Sequence, residues 1–92
     1  MEKRFEGIIQ TIIETDDITK LSSEALDELS IGDTVAKRTG NQLHAYRVSY
    51  KGEGVGEGIC LTYCACGYIE TVSYDRKATG WEYNSTDVWQ AE

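Results

Sequence analysis

What this chain lacks bounds its function before any motif is found. No apolar run approaches the roughly 18 residues that a membrane-spanning helix needs, so no membrane partner is expected. The opening MEKRFEGIIQTIIE carries early charge but no uninterrupted apolar stretch and no small-residue cleavage site, and it does not read as a secretion signal. The expected location is cytoplasmic, where the three cysteines stay reduced and the Asn84-Ser85-Thr86 sequon goes unused. Bases are scarce: nine lysines and arginines stand against sixteen acids, for a net charge of −7. Direct contact with nucleic acid or anionic lipid is disfavoured by that sign. There is a single histidine, no C-x-x-C pair and no cofactor fingerprint. An enzyme is not expected, and no cofactor or catalytic residue is assigned.

What is present fits one domain over the 92 residues, with 40% apolar and 27% charged composition. The negative charge is uneven. Residues 1–33 hold nine acids and three bases, a net of −6, whereas residues 34–92 are close to neutral. In the first part Phe5, Ile8, Ile9, Ile12 and Ile13 recur at i, i+3, i+4, i+7 and i+8, which predicts an amphipathic helix. Its isoleucines are also compatible with a buried strand. Ser22 or Ser23 is a fitting N-cap for a short second helix with Ala25, Leu26 and Leu29 turned inward, closed near Gly32. Residues 1–32 are thus expected to form an acidic helical segment.

From Asp33 the period changes from 3.6 to 2. TVAKR predicts a strand, Gly40-Asn41 a tight turn, and LHAYRVSY a strand with His44, Tyr46, Val48 and Tyr50 on one side. ICLTYCACGYIETVSYD is too long for one flat strand, and Gly67 marks its bend. WEYNSTDVW closes the chain. The expected fold is α+β: an N-terminal helix or helical hairpin on a strongly curled antiparallel meander of four or five strands over residues 33–92. A sheet of that curvature can close toward a small barrel.

KGEGVGEG, residues 51–58, has a glycine at every second position. Glu57 stands where a dinucleotide fingerprint needs its third glycine, and no lysine follows as a P-loop requires. The stretch is expected to be a mobile hairpin tip that carries Glu53, Val55 and Glu57 as an acidic finger. Cys60, Cys64 and Cys66 share parity, and with His44 across the sheet they outline a Cys3His zinc site. A spacing of about 6.5 to 7 Å between Cys64 and Cys66 along a strand is wide for one ion. Three buried thiols filling core space is the expected reading, with no metal assigned.

Eight of the nine aromatics lie between Tyr46 and Trp89. Tyr46, Tyr50, Tyr63 and Trp81 fall on apolar faces, whereas Tyr68, Tyr74, Tyr83 and Trp89 are expected to stay partly exposed as protein-contact anchors. The expected function is a small acidic protein-binding module, with a homodimer among its options. The alternative is an acidic inhibitor or accessory protein, of the kind mobile genetic elements carry. There Glu14, Asp16, Asp17, Glu24, Asp27 and Glu28 would stand in for phosphates in a partner's basic groove.

Overall fold

Isoleucine doublets satisfy two periods at once. Spaced four residues apart they line a helix face, but along a strand each doublet simply sends one side chain to either surface. The computed structural model, which describes residues 3–6 and 11–90, resolves the ambiguity in favour of strands. β1 (Lys3–Glu6) pairs antiparallel with β2 (Thr11–Thr15), and within β2 the buried positions Ile13 and Thr15 alternate with Ile12 and Glu14. Four isoleucines and Thr11 are β-branched, which suits a pleated surface better than a helix. The expected helix over 5–13 is therefore corrected to strand at Phe5, Ile12 and Ile13; residues 7–10 lie outside the described residues.

Among the described residues one short helix remains, α1 (Ser23–Glu28), capped where the serine was expected: Ser22 Oγ accepts from the Ala25 N–H at 3.1 Å. After it the chain runs through β3 (Thr34–Thr39), β4 (Gln42–Lys51), β5 (Gly58–Ala65), β6 (Tyr68–Lys77) and β7 (Gly80–Gln90). All seven described strands form one sheet in sequence order. Every neighbouring pair is antiparallel except β2 and β3, which are parallel. The expected α+β fold, with a helical hairpin on a strongly curled four- or five-stranded meander, is thus overturned. The sheet is open, mixed and dominant.

The parallel pair dictates the rest. Parallel neighbours need a crossover long enough to return the chain to the same end of the sheet, and residues 16–33 supply it. That crossover lays Ile18, Leu21, Ala25, Leu26 and Leu29 on one sheet face, against Ile13, Val35, Tyr46, Val48, Ile59, Leu61, Val72 and Tyr74. Each fully buried aliphatic or aromatic side chain here is worth about 1.5–3 kcal/mol. The core is this one layer.

Three contacts hold the cover down. Tyr74 is 2% exposed; its hydroxyl donates to the Ile18 carbonyl at 2.5 Å and accepts from the Leu21 N–H at 3.0 Å. Lys51 Nζ donates to the carbonyls of Leu26, Asp27 and Leu29 at 2.9, 3.0 and 2.5 Å, where an ammonium suits the helix's negative end. At the far side Ser23 Oγ accepts from the Trp81 N–H at 3.0 Å, and Gly80 passes so close that an added Cβ would lie 2.5 Å from that oxygen. Tyr74, expected at the surface, is corrected to a core residue.

Lys51 reaches the helix because β4 changes parity. The register shifts between Val48 and Tyr50, so Tyr50 pairs with Cys60 on the uncovered face and Lys51 with Ile59 on the covered one. Tyr50 is consequently 47% exposed instead of lining the core. Residues 52–57 then turn, as the glycines suggest, but they do not project as a free finger. The Gly56 N–H donates to the Arg76 carbonyl, the Arg76 N–H to the Glu57 carbonyl, and Tyr50 donates its hydroxyl proton to Glu57. No described helix is long and apolar enough to cross a membrane.

Removing a buried hydroxyl that serves two backbone groups costs about 1–3 kcal/mol. Tyr74→Phe should therefore lower unfolding stability in urea by that amount. Lys51→Met should cost a comparable amount, because it strips charge-assisted bonds from three carbonyls. Unchanged midpoints in both variants would show that the crossover is not anchored there.

Candidate functional site

The crossover covers only part of the face it packs on. Toward the β3–β4 and β5–β6 turns the same face stays open, and there it sinks into a recess of about 310 Å³. Strand pairing brings its residues together. His44 lies opposite Lys37, Glu70 opposite Tyr63, and Tyr68 opposite Ala65. Two-residue turns join these strands, the second at Cys66-Gly67, where Gly67 takes a φ of +71° that few other residues adopt.

Tyr63 is the hub of the recess. Its ring lies 5.3 Å from Tyr46 at a tilt of 32°, while His44 at 5.2 Å and Tyr68 at 6.2 Å stand edge-on to it. His44 Nδ1 and the Tyr63 hydroxyl are 3.1 Å apart. Glu70 sits at the centre of the polar contacts: it accepts from the Tyr46 hydroxyl at 2.5 Å and from the Tyr68 hydroxyl at 2.6 Å. Lys37 and Thr39 form one side of the rim.

The charges follow from those bonds. Burial works to raise the Glu70 pKa, but the two phenol hydrogen bonds, helped by the positive potential of Lys37 and His44, outweigh it and hold the carboxyl below its ordinary value. The Tyr46 phenol is pushed well above its usual range, first by burial and then by its bond to Glu70. The bond to Glu70 also raises Tyr68. The recess thus holds an ionised carboxylate between two neutral phenols.

A second, smaller recess of about 240 Å³ opens beside the glycine turn, around Trp81. Asp27, Arg76 and Lys51 there are already engaged. Asp27 Oδ1 accepts from the Trp81 indole at 2.8 Å and from Arg76 at 2.9 Å, and the indole bond holds the Asp27 carboxyl below its ordinary pKa. Lys51 and Arg76 flank the ring at 5.9 and 5.6 Å.

Of the aromatics singled out from the sequence, Tyr68 lines the first recess, whereas Tyr83 and Trp89 lie on β7 at 41% and 53% exposure. The acids do not gather. Glu14 pairs with Arg38 at 2.7 Å on the sheet face opposite the crossover. Asp16, Asp17, Glu24, Asp27 and Glu28 lie along the crossover, with Asp17 bonded to Thr19 and beside Lys20, and Asp27 held by Arg76 and Trp81. The thiols are also placed differently from the core reading. Ile59, Leu61 and Tyr63 take the covered face of β5, so Cys60 is half-buried and Cys64 exposed on the opposite face, and Cys66 is exposed in the turn. His44 points to the other side, against Tyr63, so a Cys3His set is not assembled.

Sequence reasoning passed over Glu70 and Lys37. Their signal was parity: in YIETVSY, Glu70 shares a face with Tyr68, Val72 and Tyr74, and an acid on an apolar face needs donors.

Because the Glu70 pKa is lower in the folded chain, its contribution is complete above the ordinary glutamate value, about pH 4.3. It is lost as pH falls through the lowered value. In urea unfolding across pH, the stability gap between the native chain and Glu70→Gln should be constant near neutrality and shrink in acid. Parallel profiles would remove the phenol-bonded carboxylate. No protein-family model, curated protein or solved structure matches the chain, so its function is read from this geometry alone.

Proposed function

We propose that this chain is a small, non-enzymatic protein-binding module that accepts an extended, basic segment of a partner along the open edge of β7. The observation that carries the reading is the edge itself. Among the described residues β7, eleven residues long, ends the sheet, and only its first residues are contacted by α1. A strand without an outer neighbour offers a row of backbone donors and acceptors to an incoming strand.

Side chains define what suits it. β7 has no lysine or arginine but carries Glu82 and Asp87. Antiparallel pairing of two such edges over their full length would bring the acids of one copy beside those of the other, which is unfavourable. A segment with lysines or arginines meets complementary charge instead. Val88 and Trp89, 51% and 53% exposed, flank the edge on opposite faces and supply apolar contact on both. The bulge that leaves Asn84 opposite no residue of β6 divides the strand, and the stretch from Ser85 to Gln90 is regular.

A peptide of alternating lysine and valine is a direct probe. Its addition should slow amide hydrogen exchange in β7, and added salt should weaken the effect. Glu82→Lys with Asp87→Lys should lower its affinity about tenfold, and Trp89→Ala by a similar factor, with unfolding midpoints unchanged. Binding that leaves β7 exchange untouched, or that ignores the charge reversal, would refute the edge reading. Concentration-dependent protection of β7 without peptide would replace it with a homodimer.

A further inference from the structure

We propose that the recess formed by His44, Tyr46, Tyr63, Tyr68 and Glu70 is a binding site for an organic cation, an alkylammonium or guanidinium head group. It is separate from the β7 edge and stands or falls without it.

The recess combines the two features that recognise such cations. Aromatic faces attract a positive charge through the ring quadrupole, and a carboxylate fixes it. Here Tyr46 and Tyr63 are tilted at 32° to one another, His44 and Tyr68 rise edge-on to Tyr63, and the Glu70 carboxylate lies between the two phenols that donate to it. Those two bonds spend one lone pair on each carboxylate oxygen and leave the remaining acceptor sites for a ligand. A volume of about 310 Å³ is at the small end for ligand pockets, and suits a head group or a single side chain rather than a large molecule.

Other ligand classes fit less well. A hard divalent ion asks for six or more oxygens, and among the described residues no group of three acids, histidines or cysteines is gathered. An anion meets the Glu70 charge, while both phenol protons on Glu70 are already engaged. A neutral apolar group would cover the carboxylate charge and its remaining acceptor sites while offering them no partner.

Lys37 gives the assignment its sharpest consequence. It stands on the rim, near enough to act on both Glu70 and Asp17, yet it makes no ion pair with Glu70 among the described residues. Its ammonium is a built-in competitor for the cation. Removing it must tighten a cation and loosen an anion.

The test is titration with tetramethylammonium, butylammonium and butylguanidinium chlorides, with tert-butanol as the neutral match and sodium butyrate as the anion. It is followed by shifts of the ring protons in the full chain. Saturable shifts confined to His44, Tyr46, Tyr63 and Tyr68 are expected for at least one cation, and the preference among the three tells ammonium from guanidinium. Glu70→Gln should weaken that binding about tenfold. Since that variant also loosens the recess itself, Lys37→Met decides: affinity should rise about threefold, a gain that damaged folding cannot produce. No saturation by any cation, preference for tert-butanol or butyrate, or weaker binding in Lys37→Met would each overturn the assignment.

Discussion

A seven-stranded sheet with a single thin cover has too much surface for its lid. That mismatch governs everything functional in this fold. The crossover of residues 16–33 exists because β2 and β3 are parallel neighbours, and its five buried apolar residues cover only the part of one face nearest to them. What it leaves bare includes the recess around Tyr63, the opposite face and the outer edge of β7. An antiparallel sheet tolerates a solvated face when that face is polar, and the hydroxyl row of Ser49, Thr62 and Thr71 serves that purpose here.

The cover is held by polar contacts as much as by burial, and the strands had to be adjusted to supply them. The β4 bulge costs one ladder position, yet it turns Lys51 toward the end of α1 and Tyr50 toward the glycine turn. A second register shift, between Ser73 and Tyr74, keeps Tyr74 and Tyr83 paired on the covered side, where their rings meet edge to face at 5.8 Å. Two irregularities in the ladder thus set which side chains reach the lid.

Local chemistry was well written into the sequence; parity and pairing were not. The Ser22 cap, the turn at Gly40, the break at Gly67 (expected as a bend, found as a two-residue turn) and the long alternating runs of β4, β5 and β6 follow from residue type at short range. The helix expected over 5–13 failed because paired isoleucines fit both periods, and only the partners available in the sheet choose between them. Tyr50 was misjudged, and the reach of Lys51 to the helix missed, because a bulge cannot be seen from alternation alone. The cysteines were judged by their usual preference for burial, while the core side of β5 had already been taken by Ile59, Leu61 and Tyr63. Glu70 was the opposite case: an acid on an apolar parity was visible, but its two phenol donors come from β4 and from two residues back on its own strand.

The recess and the β7 edge look close enough to act as one site, and geometry argues that they do not. Val88 and Gln90 of β7 lie opposite Glu70 and Tyr68. A strand added beyond β7 would stand two strand spacings from β6, roughly 10 Å. A lysine on that strand would have to cross β7 and pass exposed Val88 before meeting the carboxylate, and its four-carbon stem is too short for that path. Three of the four rings lie farther still, since Tyr63 is on β5 and Tyr46 and His44 are on β4, and only Tyr68 shares β6 with Glu70. The two proposed ligands, a basic strand at the edge and a cation in the recess, would therefore not exclude one another and would be coupled only through the fields of Glu70 and Asp87. At physiological salt a separation of this order is already about one screening length, so that coupling is weak and each site can be read by its own ligand.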